Sequence, residues 1–161
     1  MSLSFYNIDN AYVSYLSQFE PHLFHNKKSS QQNERKYIGI LFSINQYEYF
    51  APLSSFKPKH SAMKETIDLI KVGNYAVINL NNMFPVVPGC YSYVDFSLEK
   101  DVKYKQLLQS EYRIIRHDQS KIIGRANTLY KIITSGSADP KLVKRCNDFK
   151  MLEQKYDSYT V

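Results

Sequence analysis

A gap of only two polar residues separates two apolar runs, and this arrangement is the strongest structural signal in the chain. Residues 37–44 (YIGILFSI) and 47–53 (YEYFAPL) are rich in aromatic and β-branched side chains, and Asn45 and Gln46 lie between them. Side chains of this kind favour extended strands, and a short polar link between two strands favours a hairpin. We therefore expect an antiparallel strand pair over residues 37–53.

Strand and helix patterns lie on both sides of this hairpin. Residues 5–19 predict the start of a strand and then a short helix, with Asp9 or Asn10 as its N-cap. Residues 61–73 predict a second helix that begins at Ser61 and has a buried face made of Met63, Ile67 and Ile70. Three further strands are expected, at residues 75–80, 83–87 and 91–96.

The second half of the chain has helical periodicity from about Asp101 onwards. One apolar stripe consists of Ile115, Ile122, Ala126, Leu129 and Ile133. Asp139 as N-cap and Pro140 at the first helical position predict a last helix, whose core face would hold Leu142, Cys146, Phe149 and Leu152. Strands followed by helices that cover one side of their sheet are typical of an α+β fold, and we expect one domain over residues 1–161.

Charge and cysteine content narrow the range of partners. The formal net charge is +6 and the sequence pI is near 9.2, and a basic protein attracts polyanions because neutralised phosphates release counterions. Cys90 and Cys146 follow no CxxC spacing, so we expect buried structural thiols in a reducing cytoplasm. Residues 1–10 lack the pattern of a signal peptide and no apolar run is long enough to cross a bilayer, so we expect a cytoplasmic protein with no membrane partner.

Most familiar catalytic signatures are missing from the sequence. His22 and His25 are three residues apart, but no carboxylate or cysteine stands at a ligand spacing, so no metal site is expected. The acidic residues form no DxD or ExxH pair, which argues against a two-metal nuclease. The five glycines form neither GxGxxG nor GxxxxGK, so the sequence indicates no nucleotide-dependent chemistry and no cofactor.

The segment PLSSFKPKH (52–60) concentrates polar groups where a strand ends and a helix is expected to follow. Ser54 and Ser55 supply hydroxyls, Lys57 and Lys59 supply cations, and backbone N–H groups before a helix carry a partial positive charge. These groups can bind a phosphate, and with a general base they could support RNA cleavage by the 2′-hydroxyl without a metal. A solvated basic turn explains the same residues, and the segment alone leaves both interpretations open.

Several blocks of sequence occur in a fixed order along nearly the whole chain. They are FYNI near the start, YIGILFSINQYEYFAPLSSFKPKH (37–60), INLNNMFPVVPG (78–89), YKQLLQSEYRIIR (104–116), the pattern KI…A…LYK (121–131) and the closing pattern C-ND-F-xx-LE-xx-Y (146–156). In this combination the chain resembles the toxins of type III toxin–antitoxin systems, the ToxN/AbiQ/CptN family of endoribonucleases. The resemblance is strongest in the second and third blocks.

The resemblance implies a fold, an activity and a partner. The fold would be a compact, strongly twisted antiparallel sheet, similar to the MazF/Kid toxins and flanked by about four helices. The activity would be metal-independent cleavage of cellular or phage RNA in abortive infection, with 2′-hydroxyl attack leaving 2′,3′-cyclic phosphate and 5′-hydroxyl ends. The partner would be a small pseudoknot antitoxin RNA, cut by the toxin from a tandem-repeat precursor and held with it in a closed protein–RNA ring.

The family's active-site motif is a hydroxyl residue followed by Ser, Pro and Lys, with a His shortly after. The matching positions are Ser54, Ser55, Phe56, Lys57 and His60, so Phe56 departs from the usual proline. Ser55 would hydrogen-bond the scissile phosphate or the 2′-hydroxyl, and Ser54 would assist. Lys57 would stabilise phosphate charge, or act as the base if neighbouring cations favour its neutral form. His60 would act either as general acid or as a brace for the following helix.

A basic residue just before the first strand of the hairpin also belongs to the site in relatives. Arg35 matches that position, with Lys36 beside it, and a guanidinium can bind phosphate through two N–H groups. A tyrosine that some relatives use further upstream has no counterpart here. Residues 79–82 (NLNN) either contact bases or form a turn. The wider RNA-binding surface is expected to include Lys27, Lys28, Lys36, Lys59, Arg113, Arg116, Lys121 and Arg125.

A second class of function fits the same residues. A non-catalytic RNA-binding module would use the loop at 52–60 to grip phosphate and would leave the RNA intact. Cleavage therefore has to be tested by experiment.

Overall fold

The computed structural model describes residues 2–23 and 34–160, which form a sheet of eight strands and six α-helices. The strands are β1 (Ser4–Ile8), β2 (Tyr37–Gly39), β3 (Ser43–Ile44), β4 (Tyr47–Ser55), β5 (Leu69–Val72), β6 (Ala76–Asn79), β7 (Phe84–Pro85) and β8 (Tyr91–Tyr93). The helices are α1 (Asn10–Ser17), α2 (Pro58–Ala62), α3 (Val102–His117), α4 (Gln119–Thr134), α5 (Pro140–Arg145) and α6 (Phe149–Asp157). Two 3₁₀ turns, Leu80–Asn82 and Phe96–Leu98, complete the regular structure of these ranges.

Strand β4 is the centre of the sheet. It pairs antiparallel with β2, β3, β6 and β7, and the strand order along the main path is β5-β6-β4-β2-β1-β8. The predicted hairpin is confirmed, because β3 and β4 pair across Asn45 and Gln46, with Asn45 at a φ of 52°. The open antiparallel sheet with helices packed on it confirms the α+β prediction.

Side chains along β4 alternate between two cores. Tyr49, Ala51 and Leu53 pack in the larger cluster with buried residues of α3 and α4, whereas Phe50 packs in the second cluster with buried residues of α1. Because strand side chains alternate with a period of two, Ser54 continues the Phe50 side of the sheet and Ser55 continues the Leu53 side. The packing of the strand interior thus determines which way each serine points.

The helix predicted over residues 61–73 is wrong. Helix α2 begins at Pro58 and ends at Ala62, and residues 69–72 form β5, which pairs with β6. Ile70 and Val72 are buried on one side of that strand, while Met63 is 42% exposed. The apolar spacing fits a strand as well as a helix, and the pairing with β6 across a turn at Gly73 (φ 54°) decides between them.

The last predicted helix is in fact two helices. Asp139 caps α5 as expected, since its carboxylate accepts the Lys141 N–H. The chain becomes extended at Cys146, and Asp148 caps α6 by accepting the Met151 N–H. The four predicted core residues of this segment, Leu142, Cys146, Phe149 and Leu152, are all buried. The burial pattern was therefore predicted correctly, but the break between the two helices was not.

Two smaller expectations are also met. Asp9 stands at the N-cap of α1, although its side chain makes no capping hydrogen bond. Cys90 and Cys146 are buried free thiols, and burial raises the pKa of both. In the described ranges, no helix combines the length and the apolar character that a membrane span needs.

Candidate functional site

The motif at 52–60 lies where β4 leaves the sheet. Ser54 pairs with Val77 and Ser55 with Ala76, so β6 holds the strand in register up to its last residue. The Phe56 N–H then donates to the Tyr75 carbonyl at 3.3 Å, and Pro58 starts α2 two residues later. Pro is suited to this position because it needs no N–H partner in the first helical turn. This geometry presents exposed Ser55 and Lys57 side chains next to a half-buried Ser54.

Ser54 is the centre of a hydrogen-bond cluster. Its Oγ accepts one hydrogen bond from Arg35 Nη1 at 3.1 Å and another from Asn79 Nδ2 at 2.9 Å. The same Arg35 nitrogen donates to the Leu53 carbonyl at 3.1 Å. A hydroxyl oxygen has two acceptor lone pairs and one donor hydrogen. Both lone pairs of Ser54 are therefore used by the protein, which directs its O–H away from these two donors.

Three neighbouring strands supply this cluster. Arg35 lies two residues before the start of β2, Ser54 lies near the end of β4, and Asn79 is the last residue of β6. The cluster lies on the sheet side that Phe50 occupies further along β4. Arg35 is half-buried, and this burial lowers its pKa from the ordinary value of an arginine, although a guanidinium stays charged in proteins. A fixed positive charge therefore stands beside the strand end.

His60 organises the turn that carries Lys57. Its Nδ1 accepts the Lys57 N–H at 2.8 Å, and its own backbone N–H donates to the Lys57 carbonyl at 2.8 Å. The ring is 6% exposed and lies against Phe56, with ring centroids 5.5 Å apart. Burial, followed by the charges of Lys59, Lys57 and Lys71, lowers the pKa of His60. The imidazole is therefore held neutral, with Nδ1 as a hydrogen-bond acceptor.

The remaining predicted RNA-binding cations are distributed unevenly. Lys27 and Lys28 lie outside the described residues. Lys59 is exposed beside Lys57, and the Lys36 ammonium lies 5.7 Å from the centroid of the Tyr104 ring. Burial lowers the pKa of Lys36, and Glu34 and Glu99 oppose that effect.

The predicted cations on α3 and α4 differ in how they are engaged. Lys121 Nζ is 3.1 Å from Glu65 Oε1, and Arg125 Nη1 is 3.6 Å from the same oxygen. These two side chains tie α4 to the segment before β5, so their charges are partly matched within the protein. On α3, Arg116 Nη1 donates to the Tyr112 hydroxyl at 2.7 Å, and Arg113 is exposed. The structure does not bring these residues together with Ser54.

The sequence prediction did not single out Asn79, which bonds to Ser54, or Glu111, a buried carboxyl on α3. Asn79 is the first residue of the NLNN segment. In the structure it is the last residue of β6, and the rest of the segment forms the 3₁₀ turn Leu80–Asn82. Glu111 is a buried carboxyl on α3 between the buried Leu108 and Ile115. Burial raises the pKa of Glu111 to about 8. The sequence signal that could have identified Glu111 is a glutamate at a core-facing position of an amphipathic helix.

The position of α3 brings Glu111 towards the Ser55 side of the sheet. Ile114, three residues later on the helix, is so close to the turn between β5 and β6 that a Cβ added to Gly73 would come within 2.9 Å of its Cδ1. Ser55 pairs with Ala76 in the same hairpin. Helix α3 therefore crosses the sheet at the end where β4 finishes, and Glu111 is one turn away from that crossing.

The histidines weighed as metal ligands give no cluster in the described ranges. His22 Nδ1 is 3.0 Å from Glu20 Oε2, and His25 lies outside the described residues. Among residues 2–23 and 34–160, no group of three or more His, Cys, Asp or Glu side chains could hold a metal ion.

Comparison with known proteins gives one consistent family. The family model for the toxin ToxN of type III toxin–antitoxin systems matches residues 4–157. The chain is 30% identical to the endoribonuclease ToxN of Pectobacterium atrosepticum, over 98% of this chain and 94% of that protein. It is 27% identical to the endoribonuclease AbiQ of Lactococcus lactis subsp. lactis, over 99% of this chain and 91% of that protein.

Solved structures agree with the sequence comparisons. A structure from work on a processed non-coding RNA that regulates a bacterial antiviral system aligns with a TM-score of 0.86 and 27% identity, over 98% of this chain and 99% of that one. A type III toxin, described as selectively inhibited by a non-coding RNA pseudoknot, aligns with a TM-score of 0.85 and 25% identity, over 99% and 98% of the two chains. The lactococcal anti-phage endoribonuclease AbiQ aligns with a TM-score of 0.84 and 25% identity, over the same shares.

Proposed function

The chain belongs to the ToxN family of toxins from type III toxin–antitoxin systems, and from this membership we propose that it is an endoribonuclease that cuts RNA with its own side chains and without a metal ion. The observation that carries the proposal is the cluster at the end of β4. There, Arg35 and Asn79 hold Ser54, while Ser55 and Lys57 stand exposed beside it. Hydroxyls and cations of this kind are the groups that a phosphate ester needs for binding and for charge stabilisation.

The proposed reaction is an internal transfer of the phosphodiester. The 2′-oxygen of one nucleotide attacks the adjacent phosphorus, and the bond from phosphorus to the 5′-oxygen of the next nucleotide breaks. The 2′-hydroxyl loses its proton to a base, and the leaving 5′-oxygen gains a proton from an acid. The products are a 2′,3′-cyclic phosphate and a 5′-hydroxyl. Because the nucleophile belongs to the substrate, the protein has to position the phosphate, move protons and stabilise the added charge.

We assign charge stabilisation to the two cations at the strand end. Lys57 is exposed at the N-cap of α2 and can reach the non-bridging oxygens of a bound phosphate. Arg35 supplies a fixed guanidinium beside Ser54. Ser55 would donate to the phosphate or to the 2′-hydroxyl, and Ser54 can donate its O–H because Arg35 and Asn79 occupy its lone pairs.

His60 fits a positioning role better than that of general acid. Its Nδ1 is occupied by the Lys57 N–H and its ring is buried against Phe56. This contact holds the backbone of Lys57 at the start of α2. Phe56, which replaces the usual proline of the family motif, would then orient the turn by packing on His60 rather than by restricting its own φ. His60→Asn keeps a side chain that can accept the Lys57 N–H, so it is the substitution that tests this positioning role.

The proposed partner is a small antitoxin RNA that folds as a pseudoknot. One solved relative is described as inhibited by a non-coding RNA pseudoknot, and another comes from a system regulated by a processed non-coding RNA. The net charge of +6 favours such a partner. We propose that this chain cuts its antitoxin from a tandem-repeat precursor and is held with it in a cyclic assembly. Cellular and phage RNA would be the substrates of the free toxin, which places its action in the cytoplasm.

The predicted cations outside the strand end would serve RNA binding more than cleavage. Lys59 and Lys36 flank the site, and Arg113 and Arg116 stand on α3. Lys121 and Arg125 are partly matched by Glu65 and should contribute less. The double substitution Arg113→Ala with Arg116→Ala would then weaken antitoxin binding more than it slows cleavage.

The test is cleavage in the presence of a chelator. Purified protein is incubated with A-rich RNA in EDTA, and the ends of the products are identified by mass spectrometry and by their reactivity with kinase and phosphatase. Products with 2′,3′-cyclic phosphate and 5′-hydroxyl ends support the proposal. Intact RNA at high protein concentration would leave a non-catalytic RNA-binding module, and cleavage that requires added Mg²⁺ would contradict metal independence.

A further inference from the structure

A cavity lies at the end of β4 opposite to Ser54. Its volume is about 530 Å³, and its lining comes from β3, the C-terminal half of α4 and the start of α6. Tyr47, at the first position of β4, pairs with the lining residue Ile44. Seven residues separate Tyr47 from Ser54, which corresponds to roughly 23 Å along an extended strand. The cavity is therefore remote from the proposed cleavage site, and its volume is in the range of small-ligand pockets.

One wall of this cavity is aromatic and rigid. Phe42 and Tyr130 are both buried, and their ring centroids are 5.5 Å apart. The Tyr130 hydroxyl donates to Glu153 Oε2 at 2.7 Å, and the Tyr49 hydroxyl donates to the same oxygen at 2.7 Å. Because the buried Glu153 carboxylate accepts both hydrogen bonds, it fixes the orientation of the Tyr130 and Tyr49 rings. Ile44 extends the apolar surface.

Positive charge stands at the rim of the same cavity. Lys131 is exposed, and Lys150 Nζ lies 5.7 Å from the centroid of the Tyr130 ring. Lys150 Nζ is also 3.5 Å from Glu153 Oε1, which matches the charge of that buried carboxylate. Within the described part of the chain, no Asp or Glu lines the cavity. Lys131 is therefore a solvent-exposed cation at the rim that an anionic group can reach.

Two polar groups of the lining have unused hydrogen-bonding capacity. Asn127 Nδ2 donates to the Ile123 carbonyl at 3.0 Å, which leaves Oδ1 as an acceptor. Ser43 contributes a hydroxyl from β3. The hydroxyls of Thr134 and Ser135 bond to carbonyls of their own helix and are less available. The cavity thus offers one amide acceptor and one hydroxyl between its apolar wall and its cations.

We propose that this cavity binds one unpaired nucleotide of an RNA. The base would lie in the cavity against Ile44 and the small accessible parts of Phe42 and Tyr130, which are 8% and 4% exposed, because clefts with apolar and aromatic linings take unstacked bases. An exocyclic amino group would donate to Asn127 Oδ1, and the phosphate would lie on Lys131, with Lys150 contributing less because it pairs with Glu153. A purely apolar ligand would leave the ammonium groups unused, and a small inorganic anion would leave the aromatic wall in water. The choice of RNA over a free nucleotide rests on the proposed function.

The site would hold RNA without cutting it. No second cluster like that of Arg35, Ser54 and Asn79 lies among the residues that line the cavity. An RNA strand that binds at both ends of β4 would make two contacts with the protein. This strengthens binding, because the first contact raises the effective concentration of the second. Loss of this site should therefore weaken RNA binding and leave the chemical step unchanged.

Photo-crosslinking gives the direct test. A short single-stranded RNA that carries 2′-O-methyl riboses and 4-thiouridine binds but cannot be cleaved through its 2′-oxygen, and crosslinked peptides are identified by mass spectrometry. Crosslinks to Phe42 or Tyr130 are expected. Crosslinks that map only to the residues around Ser54 and Lys57 would overturn the proposal. Adenosine 5′-monophosphate that binds the cavity while the oligonucleotide does not would also overturn it, in favour of a free nucleotide.

A charge reversal at the rim gives the quantitative test. Lys131→Glu should weaken binding of the methylated oligonucleotide about tenfold at low salt and should reduce the slope of log K against log salt by about 1. Lys141→Glu, an exposed lysine on α5 outside the cavity, has the same change in charge and should alter affinity by less than about twofold. If Lys131→Glu and Lys141→Glu weakened oligonucleotide binding equally, the loss would reflect net charge alone and would contradict an RNA site in the cavity.

The two proposals fail in different ways. Wild-type protein that does not cut unmodified RNA would contradict the proposed function, whatever the cavity binds. Wild-type and Lys131→Glu proteins that cut a short substrate at the same rate and bind the methylated oligonucleotide equally would contradict only the cavity. The expected combination is unchanged cleavage of the short substrate with weakened binding.

Discussion

The two ends of β4 show how one strand can serve both stability and chemistry. At the end near Tyr47, hydroxyls of buried tyrosines meet carboxylates: Tyr47 donates to Asp157 at 2.8 Å and Tyr49 to Glu153 at 2.7 Å. At the other end, Ser55 and Lys57 are exposed and have their polar groups available to a ligand. Buried polar groups that satisfy one another stabilise a fold, whereas groups left for a ligand do not. The interior of the strand supports the position of both ends.

Buried carboxyls sharpen this comparison. Glu153, near the Tyr47 end, accepts from two tyrosine hydroxyls and stands beside Lys150. Glu111, on the helix that crosses the Ser55 end, is equally buried, and burial alone raises its pKa to about 8. Within the described residues, Glu153 has these partners, whereas no hydrogen bond or ion pair is seen for the Glu111 carboxylate. A buried carboxyl with a perturbed pKa is a candidate functional group.

The largest expected effect is at the exposed end of β4. Lys57→Ala should lower the rate of RNA cleavage by about 10²–10³-fold while the thermal unfolding curve stays unchanged, because Lys57 is exposed and would act on the charge of the transition state. Lys64→Ala, another exposed lysine a few residues later, is the control and should retain its activity. Full activity of Lys57→Ala at equal protein concentration would place the site elsewhere.

The next effect should fall on stability at the opposite end. Glu153→Ala leaves the Tyr49 and Tyr130 hydroxyls without their acceptor, and the free energy of unfolding should fall by about 2–4 kcal/mol in urea titrations. Glu153→Gln keeps one carbonyl oxygen and should lose less. Cleavage measured well below the unfolding transition should be retained by both variants. If either Glu153 variant lost cleavage activity without losing stability, the Tyr47 end of β4 would take part in cleavage, and the comparison between the two ends would fail.

Glu111 should make stability depend on pH. A carboxyl with a raised pKa is favoured in its protonated form, so its contribution is fully present below its ordinary pKa of 4.5 and is lost as pH rises through about 8. Glu111→Gln should therefore raise the free energy of unfolding by roughly 2 kcal/mol near pH 9 and change it little near pH 4. Parallel urea titrations at the two pH values measure the difference. An equal effect at both pH values would show that folding does not raise the pKa of Glu111.

The smallest effect should come from Asn79, which we expect to position Ser54. Asn79→Ala should lower kcat about tenfold with little change in KM, because Ser54 loses one of the two donors that orient it. Asn81→Ala removes an amide two residues later that bonds to the Arg145 carbonyl and is the matched control. If Asn79 acts through Ser54, the double variant Asn79→Ala with Ser54→Ala should have nearly the same kcat as Ser54→Ala alone. Independent, multiplicative losses would contradict this coupling.

Much of the fold was predictable where local signals agree. The hairpin over residues 37–53 has strand-forming side chains and a polar two-residue link, and both point to the same structure. The α5 start was predictable because Asp139 and Pro140 each favour a helix start. Residues 61–73 were mispredicted because Ile67 and Ile70 fit a helical stripe, while Ile70 and Val72 also fit a strand, and local spacing cannot choose between them.

By itself, the sequence determined the hairpin, the α+β layout and the polar motif that follows β4, because these depend on side chains close together in the chain. The family resemblance already placed Arg35 at that motif, but only the tertiary structure shows which atoms Arg35 meets there and adds Asn79 to it. Arg35 and Asn79 are 19 and 25 residues from Ser54 in sequence, and they meet it because antiparallel pairing sets β2 and β6 on either side of β4, in a register that places Tyr37 opposite Pro52 and Val77 opposite Ser54. The same pairing made residues 69–72 a strand, since the hydrogen bonds offered by β6 are absent from the local sequence.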